Sequence, residues 1–352
     1  MRLHLTILAL AMMPAGCETA GSEPRGATIH WRFAIEEPVG SVQHAYAERF
    51  RELIEQRSDG AIRVTVYPYG TLGTSDQITE LVDMNVVQFA MASPGHLGKL
   101  IPEVQVFLLH FLFSDDEQFN NQLLNDDPDL SRVFQELYAA RNLQLLSIWS
   151  EGWQVWTTKT PVAAPSDFRG MKFRVMTSPL LLAAYNAYGA SATPLPYSEV
   201  YSALQLNMIE GQENPVFAIQ EMSFHEVTDY MIFPYHAPFI TTTVTNREFF
   251  ESLPPEQSRL IEEVADELNE YILQVQQTYN RERLQMIRDK RPDLTIVEGL
   301  SDEQRMQFRS ASQPVYEQFV EIAGGRARDV LDLVQQKVAA HDFANAGDLP
   351  QP

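Results

Sequence analysis

The sequence predicts an α/β fold in two lobes, and three observations carry that prediction. Strand-like and helix-like segments alternate along the chain, and the alternation starts twice, at Ile29 and again near Gly152. With 352 residues the chain is long enough for two domains of ~100 to 200 residues each. A long apolar stripe between Pro255 and Arg291 predicts a helix longer than one small domain is wide. Two lobes bring a ligand cleft within reach.

The chain opens with Arg2, the apolar run Leu5 to Met13, and then Pro14-Ala15-Gly16-Cys17. That is the plan of a secretory signal, and the run is too short to span a bilayer. A polar stretch follows as a tether. IHWRFAI (Ile29 to Ile35) then reads as a strand, and Val42, Ala45, Tyr46, Phe50, Leu53 and Ile54 follow at helical spacing. Asp59-Gly60 turns the chain into AIRVTVYP, where Ile62, Val64 and Val66 alternate as in a half-buried strand. Thr74 with Gln77, and Ser114 with Glu117, fit capping boxes that start helices. LQLLSIW (Leu143 to Trp149) is a further strand, reached by right-handed crossovers.

In the second unit MKFRVM sets Met171, Phe173 and Val175 against Lys172, Arg174 and Met176. Ser178-Pro179 caps a helix that Gly189 ends. Arg174 therefore projects near the carboxyl end of a strand, where open α/β sheets bind ligands. The competing expectation is a surface pair with a neighbouring carboxylate. In GQENP, Asn214-Pro215 reads as a helix cap followed by the first helical residue. The stripe from Leu260 to Tyr279 belongs to a helix of ~50 Å at ~1.5 Å per residue, which lies across both lobes or protrudes. Ser301 with Gln304 starts the next helix, RARDVLDLVQQKVAAHDF forms the last, and the tail NAGDLPQP frays.

Composition removes several function classes. The net charge of -21 repels phosphate backbones and no Lys/Arg cluster offsets it, which excludes nucleic acid as a partner. An anionic ligand therefore needs a deliberate local cation. Cys17 is the sole cysteine, so there is no disulfide. The chain lacks GxSxG, HExxH, a phosphate loop and CxxC, so no catalytic residue and no cofactor is expected. His225-Glu226 is followed by Asp229 and not a second histidine, too few ligands for zinc, and no metal is expected.

Four stretches together carry a family resemblance: FRGMKFRVM, GASATPLPYSEVYSALQLNMIEGQENP, YGTLGTSDQITELV and SLPPEQSRLIEEVA. They resemble the substrate-binding subunits of tripartite ATP-independent periplasmic (TRAP) transporters. WRFAIEEPVGSVQ and QFAMASPGHLGKLIPEVQVF are most similar to the ectoine-binding branch. The resemblance implies a periplasmic-binding-protein-like fold: two discontinuous lobes, a long helix spanning both, and a small carboxylate or zwitterion enclosed between them. It implies delivery to TRAP membrane permease subunits, a monomeric protein and a periplasmic location. Residues 1-17 read as a signal of lipoprotein type, because Ala15-Gly16 before Cys17 resembles a lipobox; Pro14 stands where leucine is usual, which leaves acylation of Cys17 and release without a lipid as the two alternatives, and 18-27 is a linker. Lobe I comprises 28-151 and 240-279, lobe II 152-239 and 280-345.

Carried over residue by residue, the resemblance makes Arg174 the carboxylate clamp, and a planar guanidinium suits that role by offering two parallel donors. Asn214 donates to the same carboxylate, while Tyr197 and Phe239 are aromatic walls. Glu36 and Glu37 match paired glutamates, one of which receives a cation. Strand alternation sends them to opposite sides, and Glu37 is the choice for the cavity. His96, beside Ser93 in SPGH, stands where a phenylalanine completes an aromatic box. Ala218, after Phe217, replaces a tryptophan. Gln154 occupies a position where many relatives use a second arginine, which points to a less anionic ligand than a dicarboxylate.

Overall fold

The computed structural model describes residues 28–346. The signal, Cys17, the linker and the tail after Ala346 lie outside the described residues. In chain order the strands are β1 (Ile29–Ala34), β2 (Ile62–Tyr67), β3 (Phe89–Ala92), β4 (Leu143–Trp153), β5 (Val155–Thr158) and β6 (Lys172–Val175). They continue as β7 (Ser191–Pro194), β8 (Gly211–Asn214), β9 (Tyr230–Ile232), β10 (Pro238–Asn246) and β11 (Thr295–Val297). Two sheets result, in the orders β2-β1-β3-β10-β4 and β11-β9-β5-β8-β6-β7. The fold is α/β and two-lobed, one sheet to each lobe.

The chain crosses from the first sheet to the second at Gln154 and returns between β9 and β10. β1 lies parallel to β2 and β3, whereas the returning β10 runs antiparallel to β3 and β4. The parallel strands demand helical crossovers, and the helices Val42–Arg57 and Ser75–Asp83 supply them.

The stripe from Leu260 forms one helix of 36 residues, Pro255–Lys290. Its Ile261, Val264, Leu268 and Ile272 pack with Trp31, Phe50 and Trp149 of the first lobe. Further along, Ile287 joins Val155, Leu204 and Met231 of the second. The helix therefore spans both lobes.

The Thr74–Gln77 and Ser301–Gln304 boxes form as expected. Ser114 does not cap. The helix Glu117–Asp126 starts at Asp116, whose carboxylate accepts from the N–H groups of Gln118 and Phe119. A carboxylate next to the first turn meets both the open donors and the helix dipole better than a more distant hydroxyl. The last helix, Ala327–Ala346, lies against the first half of the chain: Val330, Leu331 and Val334 share a core with Leu130 and Phe134, and Ser114 Oγ donates to Asp342 at 2.7 Å.

Candidate functional site

β1 ends at Ala34 and the chain bends through Glu36 and Glu37. Alternation stops with the strand, so both carboxylates turn into the same cavity. Glu36 Oε2 accepts from Ser93 N–H at 2.9 Å, and Glu36 N–H donates to Gln43 Oε1 at 2.8 Å. Glu37 Oε2 accepts from Gln43 N–H at 3.2 Å. Burial raises the pKa of each, in Glu37 with help from the nearby Glu151 carboxylate.

Arg174 faces the same cavity from β6. It is only 2% exposed and forms no ion pair among the described residues, which removes the expected alternative of a surface pair. Its Nε and Nη2 both donate to Leu195 O, at 3.0 and 2.9 Å, fixing the plane of the guanidinium. Desolvation lowers its pKa to about 10, against the pull of Tyr197 and Glu213, so it stays charged at neutral pH. A buried cation without a counter-ion is costly and favours an anion beside it.

Around a cavity of about 360 Å³ the fold gathers Glu36, Glu37, Ser93, His96, Arg174, Tyr197, Asn214 and Phe239. The Tyr197 phenol is buried and feels both Glu37 and Arg174, the two opposite charges. His96 Nδ1 lies 3.3 Å from Asp76 Oδ1. That contact, with Lys99, lowers Asp76 to about 2.

Two expected residues are not part of this wall. Gln154 sits at the lobe crossing and lines a neighbouring cavity of about 280 Å³ with His110, Glu213 and Leu181; Met176 and Phe239 border both cavities. Its backbone N–H donates to Ala237 O at 2.9 Å, which ties it to the return crossing. Phe217 and Ala218 are buried in the core with Trp149 and Leu268, because their short helix packs inward on the long one.

The GQENP expectation also changes. Gly211–Asn214 is β8, paired with β5 and β6, and the helix starts at Val216 with Pro215 as its cap. Asn214 is therefore a strand end, not a cap, and its amide donates to Gln212 Oε1. Gln212 in turn donates to Thr157 Oγ1 at 2.7 Å. Glu213 faces the other way, accepting from Tyr185 Oη and from His236 Nε2 at 2.8 Å.

Desolvation lowers both His236 and His110 to about 3, so they are neutral and the His236–Glu213 contact is a hydrogen bond, not an ion pair. His110, Glu213 and His236 offer ligand atoms within 4.8 Å of one another, a set that could hold a metal ion. No sequence motif announced it, since the three lie on separate elements.

Gln43, Ser75 and Met176 line the main cavity without having been anticipated. Gln43 carried a signal: a glutamine next to apolar Val42 on a core-facing helix needs a buried partner. Among the described residues no helix is long and apolar enough to cross a membrane.

Comparison with known proteins follows the same lines. Residues 33–322 match the family described as Bacterial extracellular solute-binding protein, family 7. The chain is 39% identical over 310 residues to the ectoine/5-hydroxyectoine-binding periplasmic protein UehA of Ruegeria pomeroyi, covering 88% of this chain and 91% of that one. It is 34% identical over 343 residues to the ectoine-binding periplasmic protein TeaA of Halomonas elongata, covering 97% and 98%.

Among solved structures, the ectoine-binding protein of the Halomonas elongata TeaABC TRAP transporter superposes with a TM-score of 0.85 at 35% identity, covering 88% and 99% of the two chains. A TRAP periplasmic solute-binding protein of Marinobacter aquaeolei in an apo open structure gives 0.82 at 40% identity, covering 87% and 100%.

Proposed function

The chain belongs to family 7 of the bacterial extracellular solute-binding proteins, and from that premise we propose that it captures a small zwitterion between its lobes. Arg174 receives the carboxylate with Asn214 beside it, Glu37 and Glu36 face the cationic part, and Tyr197 and Phe239 line the sides. One observation carries this reading: a buried, unpaired arginine shares a single cavity with two buried glutamates. A plain dicarboxylate would meet repulsion at the glutamate end, whereas a molecule bearing both charges satisfies each end.

Ectoine is the first candidate, because relatives similar over most of the chain are ectoine-binding proteins. His96 at the wall favours a second reading, a zwitterion that makes less use of an aromatic box, since each lost ring forfeits about 0.5–2 kcal/mol of cation attraction. The solute is handed unchanged to TRAP permease subunits in the membrane, and a lipid on Cys17 tethers the protein nearby.

A thermal-shift panel of ectoine, hydroxyectoine, betaines, amino acids and simple carboxylates tests the class, because a bound ligand stabilises by RT ln(1 + [L]/Kd). Zwitterions should raise the melting temperature and dicarboxylates should not; the reverse order would sink the proposal. Arg174→Ala should weaken the best ligand by ~30-fold to several-thousand-fold, the ~2–5 kcal/mol lost with one partner of a buried charge pair, as read by titration calorimetry.

A further inference from the structure

Behind Glu37 lies a carboxylate with no part in the reading above. Glu151, from β4, is fully buried, and its Oε1 accepts from Gln43 Nε2 at 2.9 Å. The backbone N–H of the same glutamine donates to Glu37, so a single residue serves both acids. Glu151 Oε2 has no donor, yet the Glu151 side chain lies within hydrogen-bonding reach of Glu37. No lysine or arginine pairs with either acid among the described residues.

Two carboxylates this close and out of water do not both ionise. A proton on one of them supplies the missing donor and removes the repulsion between the two charges. Burial pushes both acids up from the ordinary carboxylate range; the Glu151 charge adds to the rise in Glu37, and in Glu151 the charges of Glu36 and Glu221 add to it while its contacts with Glu37 and Gln43 oppose it. The other groups facing the pair do not supply a cation in contact. Glu36 comes from the same bend, Glu221 from the helix Val216–Glu221, and the Tyr197 phenol from its turn. His96 and Asp76 act on Glu36, and Arg283 lies 3.8 Å from Glu221, beyond hydrogen-bond distance.

Resting on the reading of Glu37 as cation partner, we propose that Glu151 is a positioning residue that sets the charge of the site. It keeps one proton within the Glu37–Glu151 pair, so that the pair offers a single negative charge to a monocationic group. When the solute arrives its N–H groups donate to Glu37, and the shared proton settles on Glu151 as an O–H that donates to Glu37 from behind. No proton leaves the protein and none is taken up.

The experiment has a ligand-free arm and an ectoine arm. Infrared spectra of the unliganded protein at neutral pH should contain the carbonyl stretch of a buried carboxylic acid that Glu151→Gln removes; identical bands in both proteins overturn the proposal. In calorimetry with ectoine, the binding enthalpy should be the same in buffers of different ionisation enthalpy, and release of about one proton per ectoine overturns it. Glu151→Gln, whose amide keeps a donor toward Glu37, should hold affinity within about threefold. Glu151→Leu should lose at least about tenfold, as expected when a charged acceptor loses its hydrogen bond. Equal losses in the two variants would mark Glu151 as merely structural. Should ectoine fail to bind the native protein, the zwitterion reading falls by itself and the infrared difference decides the proton.

Discussion

Arg174 shows how a buried cation can be held in place at a cavity without a counter-ion among the described residues. Two of its nitrogens are spent on Leu195 O, which holds the guanidinium in place where the residue lines the cavity. Lysine carries the same charge without the fork. Arg174→Lys should therefore rescue little, leaving ectoine affinity at least about tenfold below the native value in titration calorimetry. Recovery to native affinity would mean that charge alone matters. That Arg174 lines the cavity was legible from a cation at a strand end in an acidic chain, whereas Asn214 was placed there by the family resemblance, its local pattern having read as a helix cap. The orientation of Glu36 and Glu37 was not legible, since the strand rule that separates them fails at the bend. Gln154 and Phe217 were placed by position in a resemblance, and no local pattern tells a cavity wall from the layer behind it.

At the scale of elements, β8 explains why three polar residues follow one another in GQENP. Alternation sends Gln212 and Asn214 to one face, where they bond each other, and Glu213 to the other, where Tyr185 and His236 hold it. A buried strand in the middle of a sheet can carry such a run only if each side chain has a partner. Equally specific is the join between β4 and the long helix. Asn280 Nδ2 donates to Glu151 O at 2.8 Å, and Asn280 Oδ1 accepts from Phe217 N–H at 3.1 Å, so one helix residue clasps segments leading to both sheets. Gly152 makes room for it: its φ is +111°, and a Cβ there would lie 2.5 Å from Asn280 Nδ2. Gly152→Ala should cost about 1–3 kcal/mol in thermal unfolding of the ligand-free protein, and an unchanged melting temperature would show that the clasp yields freely. The long helix itself was readable from its unbroken stripe. The seat of the last helix was not, because its apolar face names no partner.

For the whole molecule, the buried acids around the cavity make stability depend on pH in a direction opposite to that of ordinary carboxylates. Glu221 is raised from 4.5 to about 8, chiefly by burial and then by Glu37, and Glu36, Glu37 and Glu151 move the same way. Between the unfolded and folded values the native state holds more protons than the unfolded chain, so stability falls as pH rises. His110 and His236 act in the other sense. Lowered from 6.5 to about 3, they resist a proton that the unfolded chain accepts, and their contribution is lost as pH falls from 6.5 toward 3. Above 6.5 both histidines are neutral in either state, which leaves the acids alone to act between 6.5 and about 8. The ligand-free melting temperature should accordingly drop by a few degrees over that interval, at roughly 2–4 °C per kcal/mol for a domain of moderate size. Glu221→Gln removes the acid raised to about 8 and should flatten the drop without changing its sign, because Glu37 and Glu151 remain. A melting temperature that climbs from pH 6.5 to 8 would mean that the four acids are ionised in the folded protein and that the repulsion among them is relieved by some other means.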